Sequence, residues 1–287
     1  MPRITYDYLM EQKASNAAHA YTQRDSMLYA LAVGMGRDPL DPRELDYVYE
    51  RRGTLRSVPS QAVTVARHNL IYDIGLVVEK MLHGEQKLTL HHPLPVASAV
   101  LADHRVLEVY DKGPAKGLLI ETETRVRSVD GTAMFDVHNL YFARGDGGIG
   151  SPATQTKLVR TMPVRRPDLV RRTQTLPWHA LLYRLTGDPN VIHGDPDIAR
   201  KMGFKAPILH GAGTLGIACR EVLAGVCGYD NMRIKTLGTR FTSIVYPGDL
   251  VETDIWVDGN VVRFRSRVPD RNVVVLDQGE CAIEPIV

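Results

Sequence analysis

Three polar side chains of different chemistry lie close together in the segment Gly187-Asp188-Pro189-Asn190-Val191-Ile192-His193. An imidazole is the simplest general base near neutral pH. A carboxylate beside it can stay charged or hold a proton according to its surroundings, and an amide can orient a substrate or a water. Asp188, Asn190 and His193 could therefore bind one water and deliver its two parts to adjacent carbons. Pro189 lacks an N–H and clashes with the turn behind it, so a helix arriving from Leu182 must stop there. The triplet is expected on the loop that leaves that helix. An Asx-turn with a surface histidine is the plainer reading of an Asp/His pair. The intervening amide, the fixed proline and the helix start that follows favour a site.

That helix start is Ala206-Pro207-Ile208-Leu209-His210-Gly211. The first N–H groups of a helix over Ala212–Val226 lack partners, and the helix dipole adds partial positive charge. Gly211 has no Cβ, so a carbonyl could approach its N–H. A thioester oxygen placed there would stabilise an enolate-like transition state. Weaker candidates are spread elsewhere. His83-Gly84 reads as a loop, Lys112 lies in a charged turn where it could meet a phosphate, and Arg240-Phe241 reads as a strand start. The glycines of 145–150 lack the strand-to-helix context of a dinucleotide site. Neither a nucleophile elbow, a phosphate loop nor zinc-type Cys/His spacing occurs. The arginines from Arg160 to Arg172 read as solvated or linker charges.

The elements that must position these residues follow from periodicity. Thr22 and Asp25 form a capping-box-like start for a helix bearing Leu28, Leu31, Ala32 and Met35. Arg37–Val58 reads as loops, and Gln61–Met81 is ambiguous. Strands are expected at Lys87–Leu90, Ala97–Leu101, Val106–Lys112, Leu118–Ser128 and Ala133–Phe142. Arg144–Pro167 reads as a crossing linker. A second helix is expected at Pro177–Leu185. In the next, Leu215, Ala218, Cys219, Val222, Leu223 and Val226 form one apolar stripe ending at Gly228. Strands follow at Arg240–Val245, Leu250–Val257, Val261–Val268 and Val273–Ile283, with Asp258-Gly259-Asn260 as a hairpin turn.

Two echoes relate the halves. Leu28-Tyr29-Ala30-Leu31 matches Leu182-Tyr183-Arg184-Leu185, and Pro93-Leu94-Pro95 matches Pro247-Gly248-Asp249, at the same offset. Duplication explains both, giving an α+β chain of two repeats, each a helix cradled by a curved antiparallel sheet. The first half has no counterpart of the Asp/Asn/His triplet.

Composition limits the partners. Of 287 residues, 44% are hydrophobic, enough for a sizeable core, and a net charge of +2 argues against nucleic-acid binding. Three cysteines without metal-like spacing suit a reducing compartment. The N-terminal residues lack the apolar run of a signal peptide, no stretch is a membrane span, and Glu284-Pro-Ile-Val is not a peroxisomal tripeptide. A cytoplasmic location is expected.

The stretch Tyr183-Arg-Leu-Thr-Gly-Asp188-Pro-Asn190-Val-Ile-His193-Gly-Asp-Pro196, continued by Gly203-Phe204-Lys-Ala-Pro207-Ile-Leu-His210-Gly211, resembles the signature of the MaoC-like (R)-specific 2-enoyl-CoA hydratases, hydratase 2. The first half is similar to the long form, the hydratase domain of peroxisomal multifunctional enzyme type 2, at Tyr29–Gly34, Leu82–Gln86 and Asp111–Gly113, and so is Tyr246–Gly248 in the second. The resemblance implies a double hot-dog fold: a non-catalytic N-terminal repeat at 1–145, a linker at 146–170 and a catalytic repeat at 171–287. It implies reversible hydration of a trans-2-enoyl-CoA to a (3R)-3-hydroxyacyl-CoA without metal or redox cofactor. Asp188 and His193 are then the acid–base pair, Asn190 positions the water, and the Gly211 N–H binds the thioester carbonyl. His83, Gly84, Lys112, Arg184 and Phe241 are expected to contact the CoA ester, and the degenerate first half to open a wide acyl tunnel. Val191-Ile192 stands where the family usually has Pro-Leu, and Glu50-Arg51-Arg52-Gly53 where members often carry another acid.

Rival readings share the fold. They are a dehydratase on 3-hydroxyacyl thioesters of acyl carrier protein or on a steroid or branched acyl-CoA, a non-catalytic acyl-CoA binder, and a thioesterase, which would release free CoA. A homodimer is expected, because curved sheets leave edges to cover.

Overall fold

The computed structural model describes residues 4–152, 154 and 160–285. Part of the expected linker, residues 153 and 155–159, and the last two residues of the C-terminal tetrapeptide lie outside them. The first half contains α1 (Tyr6–Met10), β1 (Lys13–Tyr21), α2 (Gln23–Ala32), α3 (Pro42–Leu45), α4 (Ala62–Val65), β2 (Met81–Leu90), β3 (Ser98–Asp111), β4 (Leu118–Ser128) and β5 (Ala133–Ala143). The second contains β6 (Leu169–Gln174), α5 (His179–Tyr183), α6 (Pro196–Lys201), α7 (Gly211–Gly225), β7 (Ile234–Phe241), β8 (Leu250–Asp258), β9 (Val261–Val268) and β10 (Val273–Ile283).

All ten strands form one antiparallel sheet, in the order β1-β3-β4-β5-β2-β7-β10-β9-β8-β6. Each half traces the same path, its first strand at the outer edge and its second at the centre. The halves join where β2 pairs with β7, Leu88 opposite Leu237 and Glu85 opposite Arg240. The Arg240 guanidinium binds Glu85 across that seam, Nε to Oε1 at 2.9 Å.

Several expected elements have different limits. β1 and β6, the two edge strands, carry too little apolar alternation to be legible, and β6 occupies the end of the expected linker. β3 is one long strand, kinked by an irregularity between Val106 and Glu108, in place of two. β2 begins at Met81, so His83-Gly84 lies in a strand and not a loop. β7 ends where the Arg240–Val245 strand was expected to begin, and the Val245 carbonyl instead accepts the Leu209 N–H at 2.8 Å, anchoring the approach to α7. The helix expected at Pro177–Leu185 is the shorter α5 plus a 3₁₀ turn at Arg184–Thr186, closed by Gly187 with φ +120°. The Thr22/Asp25 capping box forms in full.

α7 packs on β6, β7, β8 and β9. Every residue from Gly213 to Leu223 is buried. Glycines inside a helix cost stability, yet here close packing requires Gly216 and favours Gly213. A Cβ on Gly213 would lie 3.1 Å from the Tyr183 ring, and one on Gly216 would lie 2.9 Å from the Tyr29 hydroxyl. Those two tyrosines, equivalent in the repeat, are fully buried with ring centroids 5.9 Å apart. A buried ionic network ties the halves together. Glu44 of α3 accepts from Arg220 of α7 and from the Tyr229 hydroxyl at 2.9 Å, and Arg220 reaches Glu221 at 2.6 Å. Arg171 and Arg172, expected as solvated charges, pair with Glu221 at 2.9 Å and Glu252 at 2.6 Å. The three cysteines are free and buried. Among the described residues no helix is long and apolar enough to cross a membrane.

Candidate active site

The loop after α5 folds as its sequence dictates. The Asp188 carboxylate accepts the Asn190 N–H at 3.3 Å, an Asx-turn, and the Asn190 side-chain oxygen accepts the Ile192 N–H at 3.2 Å. The second bond caps a 3₁₀ turn over Val191–His193 that buries His193. The Asx-turn of the plain reading forms, but its surface histidine does not: the turn carries His193 inward. Asn190 was expected to position a water. Its oxygen is spent inside the loop, which leaves its NH₂ for a ligand.

One nitrogen of His193, one of His210 and one carboxylate oxygen of Asp188 all lie within 4.8 Å of one another. His193 Nδ1 lies 2.8 Å from the Ile208 carbonyl. A carbonyl only accepts, so Nδ1 carries the proton and Nε2 presents a lone pair. His210 stacks on His193 with ring centroids 3.6 Å apart. Its Nε2 donates to the Asp188 carbonyl at 3.1 Å, and its buried Nδ1 has no partner. Burial holds both imidazoles below their ordinary pKa, His210 further because His193 adjoins it, so both are neutral near pH 7.

Sequence reasoning missed Arg67, whose guanidinium lies 3.0 Å from the Asp188 carboxylate. It comes from the first half, on an irregular segment without periodicity, so no local signal marked it. Tyr183 was read as part of the repeat and of the signature stretch but given no role of its own, yet its buried side chain lies beside the same site. A single cation could be ligated by Asp188, His193 and His210. The Arg67 guanidinium already supplies the positive charge there and opposes a second one.

No side chain caps the N-terminus of α7. The Phe241 ring lies 3.2 Å from where a Cβ on Gly211 would sit, a tighter approach than an ordinary contact, which favours glycine beneath it. His83 packs on Phe241 with centroids 4.8 Å apart and bonds Asn139 at 3.0 Å. Burial lowers the His83 pKa to about 4. Gly84 occupies the register shift beside it, with a Cβ position 3.2 Å from the Leu140 carbonyl oxygen. His83, Gly84, Phe241 and Gly211 are thus brought together. Lys112 and Arg184 are not: both are exposed and line neither cleft, and the Lys112 ammonium lies over the Tyr110 ring at 5.8 Å.

Two clefts meet the Asp188–His193 loop. One, partly open to solvent, is lined by Asp188, Arg67, Tyr183 and the concave face of β2–β5. The other, also open, is lined by His193, Leu181, Lys205, Pro207 and Tyr246. Asp188 and His193 therefore stand between them.

Residues 19–145 match the MFE-2 hydratase 2 N-terminal domain, and residues 158–278 match the MaoC like domain. The chain is 34% identical to a peroxisomal enoyl-CoA hydratase 2 of Arabidopsis thaliana, over 94% of this chain and 93% of that protein. Its fold is similar to the crystal structure of a MaoC-like dehydratase from Phytophthora capsici, with a TM-score of 0.85, 29% identity and 98% of each chain covered. A Mycobacterium tuberculosis structure described as a double hotdog fold shares the architecture at 14% identity and a TM-score of 0.59, over 95% of each chain. Two repeats on one sheet, an Asp/Asn/His loop in the second alone, and agreement along nearly the whole length lead to one conclusion: the chain belongs to the MaoC-like hydratase 2 family of enoyl-CoA hydratases, with a double hot-dog fold.

Proposed function

We propose that Asp188 and His193 carry the reversible hydration of a trans-2-enoyl-CoA to its (3R)-3-hydroxyacyl-CoA. The observation that carries this reading is the neutral His193 with its free Nε2 beside the Asp188 carboxylate, between two clefts. A water held by both groups loses a proton to His193 Nε2 as its oxygen bonds to C3. The electron pair of the double bond moves to C2 and into the thioester carbonyl, as an enolate. The uncapped tip of α7, led by the Gly211 N–H, receives that oxygen. The imidazolium then returns its proton to C2, so one water is added and nothing else is consumed. Asp188 holds the second hydrogen of the water and balances the transient imidazolium, while Arg67 fixes the carboxylate.

The acyl chain enters the first-half cleft, and the CoA ester lies outside, past His83, Gly84 and Phe241. No metal or redox cofactor is part of this proposal, because acid–base groups and an oxyanion site suffice for the step. A homodimer covering the free edges β1 and β6 and a cytoplasmic location suited to three free cysteines complete it; sedimentation and cell fractionation test these two points. The decisive experiment is a panel of crotonyl-, decenoyl- and steroid-enoyl-CoA followed at the enoyl absorbance, with product stereochemistry. Formation of the (3S) product, or release of free CoA in place of hydration, overturns the reading.

A further inference from the structure

The cleft in the first half is not shaped for a plain alkyl chain. Its floor is the concave face of β2–β5, where two registered rows lie side by side. One runs Gln86, Asn139, Thr122; the other runs Val137, Thr124, His104. Five of these six side chains are polar, and two carry an atom with no partner. Gln86, 6% exposed, gives its NH₂ to the Asn139 oxygen at 3.0 Å and leaves its own Oε1 bare. His104, 5% exposed, bonds the Thr124 hydroxyl through Nδ1 at 2.9 Å and leaves Nε2 bare. Buried polar atoms are ordinarily paired, so these two mark places where a ligand completes the bonding. An alkyl chain would cover both without satisfying either.

The chemistry of that ligand can be narrowed. The two arginines of the lining are already paired, Arg105 with Glu123 at 2.8 Å and Arg67 with Asp188 at 3.0 Å, and the one further exposed imidazole, His68, stacks on His104. Burial lowers the His104 pKa to about 4, so it too is uncharged near neutrality. An anionic chain end therefore has no counter-charge, and the group is neutral. A ketone only accepts, which leaves Gln86 Oε1 bare. A hydroxyl both donates and accepts, and it satisfies Gln86 and either tautomer of His104. His68 stacks on His104 with centroids 4.7 Å apart and bounds the cleft at that end. His104 on β3 is three strand spacings from Gln86 on β2, roughly 14 Å at about 4.8 Å each.

We propose that this cleft selects acyl chains that carry hydroxyl groups, received by Gln86 nearer the reacting carbons and by His104 with Thr124 at the far end. The proposal rests on the hydratase reading above and names the substrate class of that site.

The test compares kcat/KM of the full-length protein for trans-2-decenoyl-CoA and for its 8-, 9- and 10-hydroxy counterparts, with crotonyl-CoA as a chain too short to reach His104. At least one hydroxylated chain is expected to exceed decenoyl-CoA about tenfold or more, because a site built to bond a hydroxyl rejects the analogue lacking it. His104→Leu and Gln86→Leu should each bring that ratio toward or below one, and His104→Gln should retain part of it. A wild-type protein that turns over decenoyl-CoA as well as every hydroxylated form overturns the proposal, whether or not the variants fold. A protein inert even on crotonyl-CoA overturns the hydratase reading, and the inference falls with it. Hydration of crotonyl-CoA without discrimination among the longer chains overturns the inference alone.

Discussion

The two halves of the sheet follow one strand path and bury opposite things. In the second half the concave face holds α7, fifteen residues long, whose buried side runs unbroken from Gly213 to Leu223. In the first half the equivalent space holds only a 3₁₀ turn at Pro59–Gln61 and the four-residue α4, followed by irregular chain. A long helix closes its cradle and offers a bare N-terminus. A broken one leaves the cradle open. The helix thus gives the proposed oxyanion site in one repeat, and the short helix leaves the proposed acyl cleft in the other. Two repeats with one strand path differ in what each cradle holds, a fifteen-residue helix in one and a single short turn of helix in the other. The proposed catalytic set itself crosses the boundary, with Arg67 of the first half on Asp188 of the second.

The largest effect expected from breaking this asymmetry lies in the loop. Asp188→Ala or His193→Ala should lower kcat/KM about 10²–10⁴-fold in the crotonyl-CoA assay, the range for lost acid–base catalysis, with the circular dichroism spectrum unchanged. The Asp38 carboxylate, in the corresponding first-half loop, accepts the Leu40 N–H of its own turn at 2.9 Å. Asp38→Ala should stay within about twofold of wild type. Equal losses in both loops would refute the assignment of chemistry to one half.

Next comes the lock between the halves. Glu44→Ala strips a carboxylate from the buried Arg220 and should destabilise the protein by about 3 kcal/mol in urea unfolding. Filling the open cradle should be felt by chain length. Thr122→Phe places a ring in the cleft and should raise KM for decenoyl-CoA about tenfold more than for crotonyl-CoA. A uniform rise would mean that long chains lie elsewhere. The smallest effect is in pH. Hydration needs His193 uncharged, and burial lowers its pKa from the ordinary 6.5. kcat/KM for crotonyl-CoA should therefore stay level as pH falls through 6.5 and drop only at more acid values. A limb centred above 6.5 would mean that His193 is not the base.

Much of this was legible beforehand because it is local. The Thr22/Asp25 box, the α7 stripe and the alternation of Val261–Val268 are periodic signals, and they matched. The loop chemistry was legible because Pro189 and Asx geometry are written within a few residues. The edge strands β1 and β6 were not, since a strand at a sheet edge needs little apolar alternation to pair on one side. Nor was the true start of β2, because His83-Gly84 reads as a turn until β5 and β7 flank it. That Lys112 and Arg184 line neither cleft could not be read either, since a charged residue in a motif does not say which way it points.

The sequence by itself determined that an imidazole, an amide and a carboxylate share one proline-fixed loop, and that an uncapped apolar helix follows it; both depend on contacts within a few residues. Only the tertiary structure decided that Arg67 meets Asp188, that His210 stacks on His193, and that the first-half cradle is left open with Gln86 and His104 bare. Those outcomes depend on groups far apart in the chain, brought together when β2 pairs with β7 and two repeats become one sheet.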